Sequence, residues 1–332
     1  MGETQDDVQG AYRVFPVSEV LFDLAVVIVS WNVRDLLAAC LRSLFADVEQ
    51  SGLEAKVWVV DNGSADGTPE MVAEAFPSVH LIASGENLGF VRANNLALSR
   101  ILQLPNSPTP QFPNSPKYIW LLNPDTEVLS GATSALISAL EADPQTGMVG
   151  PKLLYADGSL QHSAFRFPGL VQLIFDLFPL PARFYETPLN GRYPRRLYEG
   201  TKPFPIDHPL GASMMVKSTV TSDVGLMDEE FFMYCEEIDW CWRMREAGWR
   251  IYCAPTARVI HHAGQSSGQV RVPSFVNLWS SRAKLYARHH GPLTRRLART
   301  LVHVGVKRRM RGASTEMVAA RQQVIQAWET AQ

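Results

Sequence analysis

The sequence predicts an α/β fold built on an open, mostly parallel sheet flanked by helices. Three observations carry that expectation. Leu24–Ser30 is a continuous run rich in β-branched residues, the pattern of a strand covered on both faces. Helical apolar spacing follows it, with Leu36, Leu37, Cys40, Leu41 and Leu44 recurring through Arg34–Ala46. The same strand-then-helix unit repeats to about residue 150, which implies right-handed crossovers between parallel strands.

The elements follow in order. Lys56–Val60 is a second buried run, ending at Asp61. The polar turn DNGSADGT leads to a helix from Pro69 to Phe76. His80–Ala83 is a short third strand, followed by the loop SGENLGF and a helix over Arg92–Leu102. Leu104–Pro116 holds a near-repeat, LPNSP and FPNSP. Its prolines exclude a helix or central strand, leaving an inserted surface loop or a proline-rich docking motif. Ile119–Leu122 is a fourth strand ending at Asn123–Asp125, and Gly131–Ala142 is a further helix. Beyond residue 150 the alternation stops. GPKLLYADGSLQ suggests a hairpin with Asp157-Gly158 in its turn. Residues 168–205 show no clear periodicity. Ala212–Lys217 reads as a strand and Glu236–Ala247 as a helix ended by Gly248. Arg250–Pro255 and Ala257–His261 are short extended runs, and the tail from about Ser274 is helical and basic.

Composition excludes several classes of function. With 31 Lys+Arg against 33 Asp+Glu, the net charge of −2 argues against a general nucleic-acid binder. A hydrophobic share of 46% supplies a core and excludes wholesale disorder. The apolar stretch Leu24–Trp31 falls far short of the roughly 20 residues a bilayer span needs. The acidic start MGETQDDVQG lacks the pattern of a signal peptide. Cys40, Cys235, Cys241 and Cys253 fit neither a disulfide scaffold nor a zinc site, and read as buried thiols in a reducing compartment.

Ligands of open parallel sheets bind outside the carboxyl ends of the strands. Three polar clusters fall there: Ser30-Trp31-Asn32, Asp61-Asn62-Gly63-Ser64 and Asn123-Pro124-Asp125. Any one alone reads as a turn cap; three at one edge argue for a ligand. An Asp there can accept hydrogen bonds from a base or ribose, or hold a divalent cation against phosphate oxygens. Neither Gly-x-Gly-x-x-Gly after the first strand nor a Walker A loop is present, so phosphates would fall to metal and side chains.

Phe231–Trp249 is a second constellation. Asp239 and Arg243 lie three and seven residues beyond Glu236, near one helix face. Glu236 and Glu237 suit the positive end of the helix dipole. The stretch reads either as an acidic cap on an amphipathic helix or as a general base beside Trp and Tyr side chains able to stack on a sugar. His261-His262 in VIHHAGQSS read as surface or core residues, or as ligands for a Mn²⁺-like cation. Between Arg288 and Arg311 stand eight Lys/Arg and no acid, interleaved with Leu293, Leu297, Leu301, Val302, Val304, Val306 and Met310. That is a basic helix packed on the domain, or an amphipathic helix on anionic lipid.

The stretches VVIVSWN, VVDNGSADGT, GENLGFVRANN, LLNPDTEV, GPKLLYADGS, GASMMV, VGLMDEEFFMYCEEIDWCWR and VIHHAGQSS run in order from residue 26 to 267. The set closely resembles family 2 glycosyltransferases, and within them the bacterial rhamnosyltransferase-like branch. The resemblance implies a GT-A fold over 21–270, with a nucleotide-binding half (21–150) and an acceptor half (151–270). A flexible leader (1–20) and a basic helical region (271–332) flank it.

The resemblance also implies roles. Asp61 would contact a uracil or thymine base. Asn123-Pro124-Asp125 stands for the family's Asp-x-Asp motif, with Asp125 on the metal and Asn123 nearer the ribose. Ser30, Asn32, Asn87, Gly89, Phe90 and Asn94 would belong to the nucleotide-sugar site, with Arg92 assisting. His261 fits the His-x-x-Gly-x-Ser pattern as a second metal ligand, with His262 its adjacent competitor. Glu237 and Asp239 fall at the catalytic positions. Glu237 is the base, a Glu where the family has Asp, while Asp239 and Arg243 brace the site and Glu236 and Trp240 support it.

The implied cofactor is a divalent cation, Mn²⁺ or Mg²⁺. The implied reaction is inverting transfer of a sugar, rhamnose favoured, from a dTDP-, UDP- or GDP-linked donor to a glycan or lipid-linked acceptor in cell-surface polysaccharide synthesis. The Gln-x-x-Arg-Trp motif of processive relatives is absent, which points to transfer of one or a few sugars. The expected location is the cytoplasm, peripheral at the inner face of the plasma membrane, with no nucleic-acid partner. A nucleotidyltransferase and a non-catalytic carbohydrate-binding relative are the alternatives. The carboxylate–His constellation of the second half argues against the first, and the joint presence of Asp61, Asp125, Glu237 and His261 argues against the second.

Overall fold

A computed structural model describes residues 22–102, 115–264, 267–310 and 312–331. The leader at 1–20 and most of the proline-rich stretch lie outside the described residues.

The first half alternates as its apolar pattern predicts: β1 (Leu24–Ser30), α1 (Arg34–Ser51), β2 (Ala55–Asp61), α2 (Thr68–Ala75), β3 (His80–Ala83), α3 (Gly89–Ile101) and β4 (Tyr118–Leu122). Next come β5 (Thr126–Val128), α4 (Ala132–Glu141), β6 (Thr146–Leu154), β7 (Leu160–Gln161), β8 (Ala164–Phe165), α5 (Leu170–Leu177) and α6 (Arg195–Glu199). The chain continues through β9 (Phe204–Pro205), β10 (His208–Pro209), β11 (Ser213–Lys217), α7 (Ser218–Val224), α8 (Glu236–Glu246) and β12 (Arg250–His261). Three helices close the chain: α9 (Arg271–His289), α10 (Pro292–Arg308) and α11 (Thr315–Thr330).

The main sheet runs β3-β2-β1-β4-β11-β6-β12-β5. Its first four strands are parallel, and β12 is parallel to β6. Strand β11 enters antiparallel between β4 and β6, so the sheet is mostly rather than wholly parallel. The β1–β2 register sets Ser30 beside Asp61, which puts two of the three polar clusters side by side. The hairpin expected at Asp157-Gly158 forms between β6 and β7, with Gly158 at φ 80°.

Alternation along the strands divides the core between the two sheet faces. Val27, Trp58 and Val60 pack with α3 and α8 residues on one side. Leu24, Val26, Ile28, Val57 and Val59 pack with α1 and α4 on the other. Asp47 of α1 ties the second layer together. Its carboxylate accepts from the Gly131 and Thr133 backbone N–H groups and the Thr133 hydroxyl, and so caps α4 from a neighbouring helix.

Three expectations change. The two short runs at 250–261 form one strand, its register shifting between Ala254 and Arg258 around Pro255. Residues 168–205 contain α5, α6 and two 3₁₀ turns rather than irregular chain. Helix α5 buries Leu173 and Leu177 against α9–α11 residues, so tertiary packing stabilises a helix too short to persist alone. The tail is three helices, and its cations concentrate in α9 and α10; α11 carries Arg321 with Glu316 and Glu329.

Candidate active site

A cleft of about 290 Å³ opens at the carboxyl ends of the first strands. Trp31 and Asn62 line it after β1 and β2, Asn123, Pro124 and Asp125 after β4, and His261 at the end of β12. Glu236 and Glu237 reach it from the start of α8. The three polar clusters and the two later motifs therefore converge.

At the edge formed by the ends of β1 and β2, backbone and side chains interlock. The Asn62 amide donates to Asn87 Oδ1 (3.0 Å) and the Gly89 carbonyl, while its Oδ1 accepts from Leu88 N–H. This pins the GENLGF loop to the end of β2. Gly89 lies at φ 79°, and a Cβ there would stand 2.6 Å from the Phe232 ring. Phe90 N–H also donates to the Phe232 carbonyl, so this loop fixes the segment leading into α8. Asn87 and Phe90 line the cleft; Gly89 shapes their loop from behind.

Ser30 and Asp61 are buried just behind. Asp61 Oδ2 accepts from Ser64 N–H, but Asp61 Oδ1 and Ser30 Oγ have no partner among the described residues. Two adjacent buried polar atoms left unpaired are costly unless a ligand satisfies them. Asn32, at φ 52°, instead holds the turn after β2, its Oδ1 accepting from Ala65 N–H. Asn94 is also turned away from the cleft, donating to the Phe90 carbonyl one turn back in α3. Arg92 pairs with Glu229 on the surface.

Asp125 and His261 form the second group. His261 Nε2 stands 3.4 Å from Asp125 Oδ1. Its Nδ1 lies 3.0 Å from Gln161 Oε1, an acceptor that places the ring proton on Nδ1. Its Nε2 faces the Asp125 carboxylate, so both side chains turn ligating atoms toward one point. This second-sphere hydrogen bond orients the imidazole as metal-ligating histidines require. The pair fits a divalent cation as a partial ligand set that phosphate oxygens and water would complete. Among the described residues, no group of three or more His, Cys, Asp or Glu forms a closed metal site. Strand alternation sends His262 elsewhere, to Glu127 at 2.7 Å.

The third group sits on α8. Tyr234 (φ 69°) and Cys235 (φ 67°) adopt consecutive left-handed conformations, turning the chain sharply into the helix and presenting Glu236 and Glu237 at the cleft. Backbone strain of this kind costs about 1–3 kcal/mol per residue and persists where the surroundings enforce it. Glu236 Oε2 and Glu237 Oε2 are both unpartnered. Burial pushes the Glu237 carboxyl up to about 7. Burial and the neighbouring Glu237 charge push Glu236 well above the ordinary range. Glu237 is thus poised near neutrality, as a general base requires.

Asp239 is fully buried and does not line the cleft. It accepts from Arg243, Arg288 and His289 at 2.8–3.0 Å. Burial alone would raise its carboxyl, but the His289 and Arg243 hydrogen bonds, with the adjacent guanidinium charges, hold it down at about 2. Arg243 continues to the Val224 and Leu226 carbonyls, bracing the base of α8. Trp240 is a core residue rather than a sugar platform, since its ring is fully buried and Nε1 donates to the Gly225 carbonyl.

Sequence reasoning missed Ser274 and Asn277 of α9, which also line the cleft. Their one local signal is polar spacing of i, i+3 in an otherwise apolar helix segment. Tyr234 is the aromatic side chain of the α8 approach that does reach the cleft, together with Phe232.

Residues 25–208 match the model of glycosyl transferase family 2. The chain belongs to that family. This glycosyltransferase is 30% identical over 248 residues to an N-acetylglucosaminyl-diphospho-decaprenol L-rhamnosyltransferase of Mycobacterium tuberculosis, covering 74% of this chain and 78% of the relative. It is 26% identical to the rhamnosyltransferase WbbL of Escherichia coli, covering 72% and 83% respectively. In fold, the glycosyltransferase is similar to the mannosyltransferase PcManGT of Pyrobaculum calidifontis, solved with GDP-Man and Mn²⁺. That likeness has a TM-score of 0.53 at 15% identity and covers 97% of this chain and 89% of the other.

Proposed function

We propose that this glycosyltransferase moves rhamnose from a nucleoside-diphosphate donor, dTDP-linked by preference, to a hydroxyl of a lipid-linked glycan acceptor, with inversion. One observation carries the reading. The Glu237 carboxylate, whose Oε2 has no partner among the described residues, and the Asp125–His261 pair open onto the same cleft.

Ser30 Oγ and Asp61 Oδ1 would take hydrogen bonds with the base, and Asn123 would lie toward the ribose. Asp125 and His261 would hold a divalent cation, Mn²⁺ or Mg²⁺, which supplies positive charge to the departing diphosphate. Glu237 accepts the proton of the acceptor hydroxyl while that oxygen forms a bond to the anomeric carbon. The bond from that carbon to the diphosphate oxygen breaks, and the nucleoside diphosphate leaves with the electron pair. Tyr234, Ser274 and Asn277 border the acceptor side. Asp239 acts as a positioning residue beneath Glu237.

The rhamnosyltransferase relatives support the donor sugar, and the decaprenyl-diphosphate acceptor named for the M. tuberculosis relative supports a polyprenyl-linked one. A lipid-linked acceptor and the basic α10 together support work at the cytoplasmic face of the membrane. Among the described residues, no helix is long and apolar enough to cross it.

Incubation with dTDP-rhamnose, Mn²⁺ and N-acetylglucosaminyl-diphospho-polyprenol, followed by mass spectrometry, tests the reading. Addition of one deoxyhexose is expected. Transfer from UDP- or GDP-sugars alone would overturn the donor assignment.

A further inference from the structure

Helix α10 has three distinct flanks. Ala298, Val302, Gly305 and Val306 are buried in the C-terminal cluster. His303, which approaches Glu329, and Arg299, which donates to the Ala331 carbonyl, mark the flank facing α11. The remaining flank carries Leu293 (71% exposed), Leu297 and Val304 (55% exposed), spaced i, i+4 and i+11 and hence in one line.

That line faces away from the cluster, between the flank packed on α5 and the flank packed on α11. Gly305 lies against Leu177 of α5, so close that a Cβ there would stand 2.7 Å from Leu177 Cβ. Across this contact α5 exposes Val171 and Ile174, and the turn Pro188–Asn190 that packs on α5 exposes Leu189 (58%). Six of the nine large exposed hydrophobic side chains of the described residues therefore belong to these three neighbouring elements. Helix α10 also carries Arg295, Arg296, Arg299, Lys307 and Arg308 without a single acid. The acid of α5, Asp176, is paired with Arg282.

A line of apolar side chains on a helix whose charged residues are all cations complements an anionic bilayer surface: hydrocarbon for the leucines, lipid phosphates for the guanidinium groups. We infer that α5, the 188–190 turn and α10 form one composite face that seats the protein on anionic lipid, with Leu293, Leu297, Val304, Val171 and Ile174 entering the interface. The membrane contact thus includes a helix of the acceptor half and not the C-terminal tail alone. This deepens the proposed work on a lipid-linked acceptor, yet it is tested without donor or acceptor.

The full chain is sedimented with vesicles of phosphatidylcholine containing phosphatidylglycerol, and with phosphatidylcholine alone. Binding is expected to the anionic vesicles only, and to weaken in high salt. Arg296→Glu and Arg308→Glu should each lower the partition constant about fivefold or more, as expected from ~1 kcal/mol per surface cation. Val171→Ser/Ile174→Ser, on the second element, should lower it as Leu293→Ser/Leu297→Ser does, while nucleotide-induced thermal stabilisation stays at the wild-type value. Equal binding to neutral vesicles, no binding at low salt, or full binding by the α5 variant would each overturn the inference. So would a stable dimer in light scattering that Leu293→Ser/Leu297→Ser disperses, since a second copy would then cover the face. Loss of nucleotide stabilisation in the wild type would count against the transferase reading instead.

Discussion

His261 Nε2 lies 3.4 Å from Asp125 Oδ1, and these two residues bring the end of β12 to the loop after β4. The His262 backbone N–H donates to the Asp125 carbonyl, so the two loops are clamped by main chain as well as joined through side chains. A cation bound there would be held between the end of β12 and the loop after β4.

The Glu237 carboxylate is the proposed proton acceptor, and a positioned base contributes about 10²–10⁴-fold. Glu237→Gln should lower kcat by that factor while nucleotide affinity stays within about twofold. Because burial sets the carboxyl at about 7, activity should rise with pH through that value and level off above it. Isothermal titration with nucleotide beside initial rates from pH 5.5 to 8.5 checks both. A flat profile in that range would remove Glu237 from the role.

The same acid pair makes a stability prediction with a definite sign. Glu237 binds its proton more tightly in the folded chain than at its ordinary 4.5, and Glu236 does so too. Stability linked to that proton is complete below pH 4.5 and declines as pH rises through about 7. Glu237→Gln should therefore raise Tm relative to wild type at pH 8 and leave it nearly unchanged at pH 4.5. Melting curves at the two pH values decide it.

Asp239 supports the site from beneath without touching the cleft. Asp239→Asn leaves Arg243, Arg288 and His289 without their shared buried anion, and should cost about 3 kcal/mol. The Asp239 carboxyl is held low, so its contribution is present above its ordinary 3.8 and is lost as pH falls through about 2. The variant should thus be destabilised at neutral pH in urea melts. Its residual activity should keep the wild-type pH profile, which a proton-transferring residue would not.

Gly89→Ala tests the interlock between donor loop and α8. The residue has φ 79°, and the added carbon would meet the Phe232 ring and carbonyl at under 3 Å. A cost of about 1–3 kcal/mol in stability is expected, with weaker nucleotide binding because Asn87 and Phe90 shift with the loop. A variant with wild-type Tm and affinity would show that the loop does not need this contact.

The β1–β4 half of the sheet was legible in the sequence because its strands are covered on both faces and end in polar residues at one edge. Asp61, Asn123, Asp125, Glu237 and His261 could be singled out on that basis and on ordered motifs. The choice between His261 and His262 depends on which face β12 turns to the cleft, a matter of register that sequence spacing does not carry. The resemblance assigns Asn32 and Asn94 to the nucleotide-sugar site and sets Asp239 at a catalytic position as a brace. In the structure Asn32 and Asn94 spend their side chains on loop and helix support, and Asp239 spends its own on ion pairs beneath α8. Ser274 and Asn277 reach the cleft through contacts made across the whole chain length, and α5 is stabilised by α10. Neither leaves a local pattern.

The most direct test of the central claim is the melting temperature of the full chain with dTDP, UDP or GDP, with and without Mn²⁺, in wild type and in Asp125→Ala. A ligand that binds the native state raises Tm by mass action. One nucleotide, dTDP by preference, should raise the wild-type Tm far more with Mn²⁺ than without, and Asp125→Ala should lose that metal-dependent increment. No shift with any of the three nucleotides, or an equal metal-dependent shift in Asp125→Ala, would contradict the account.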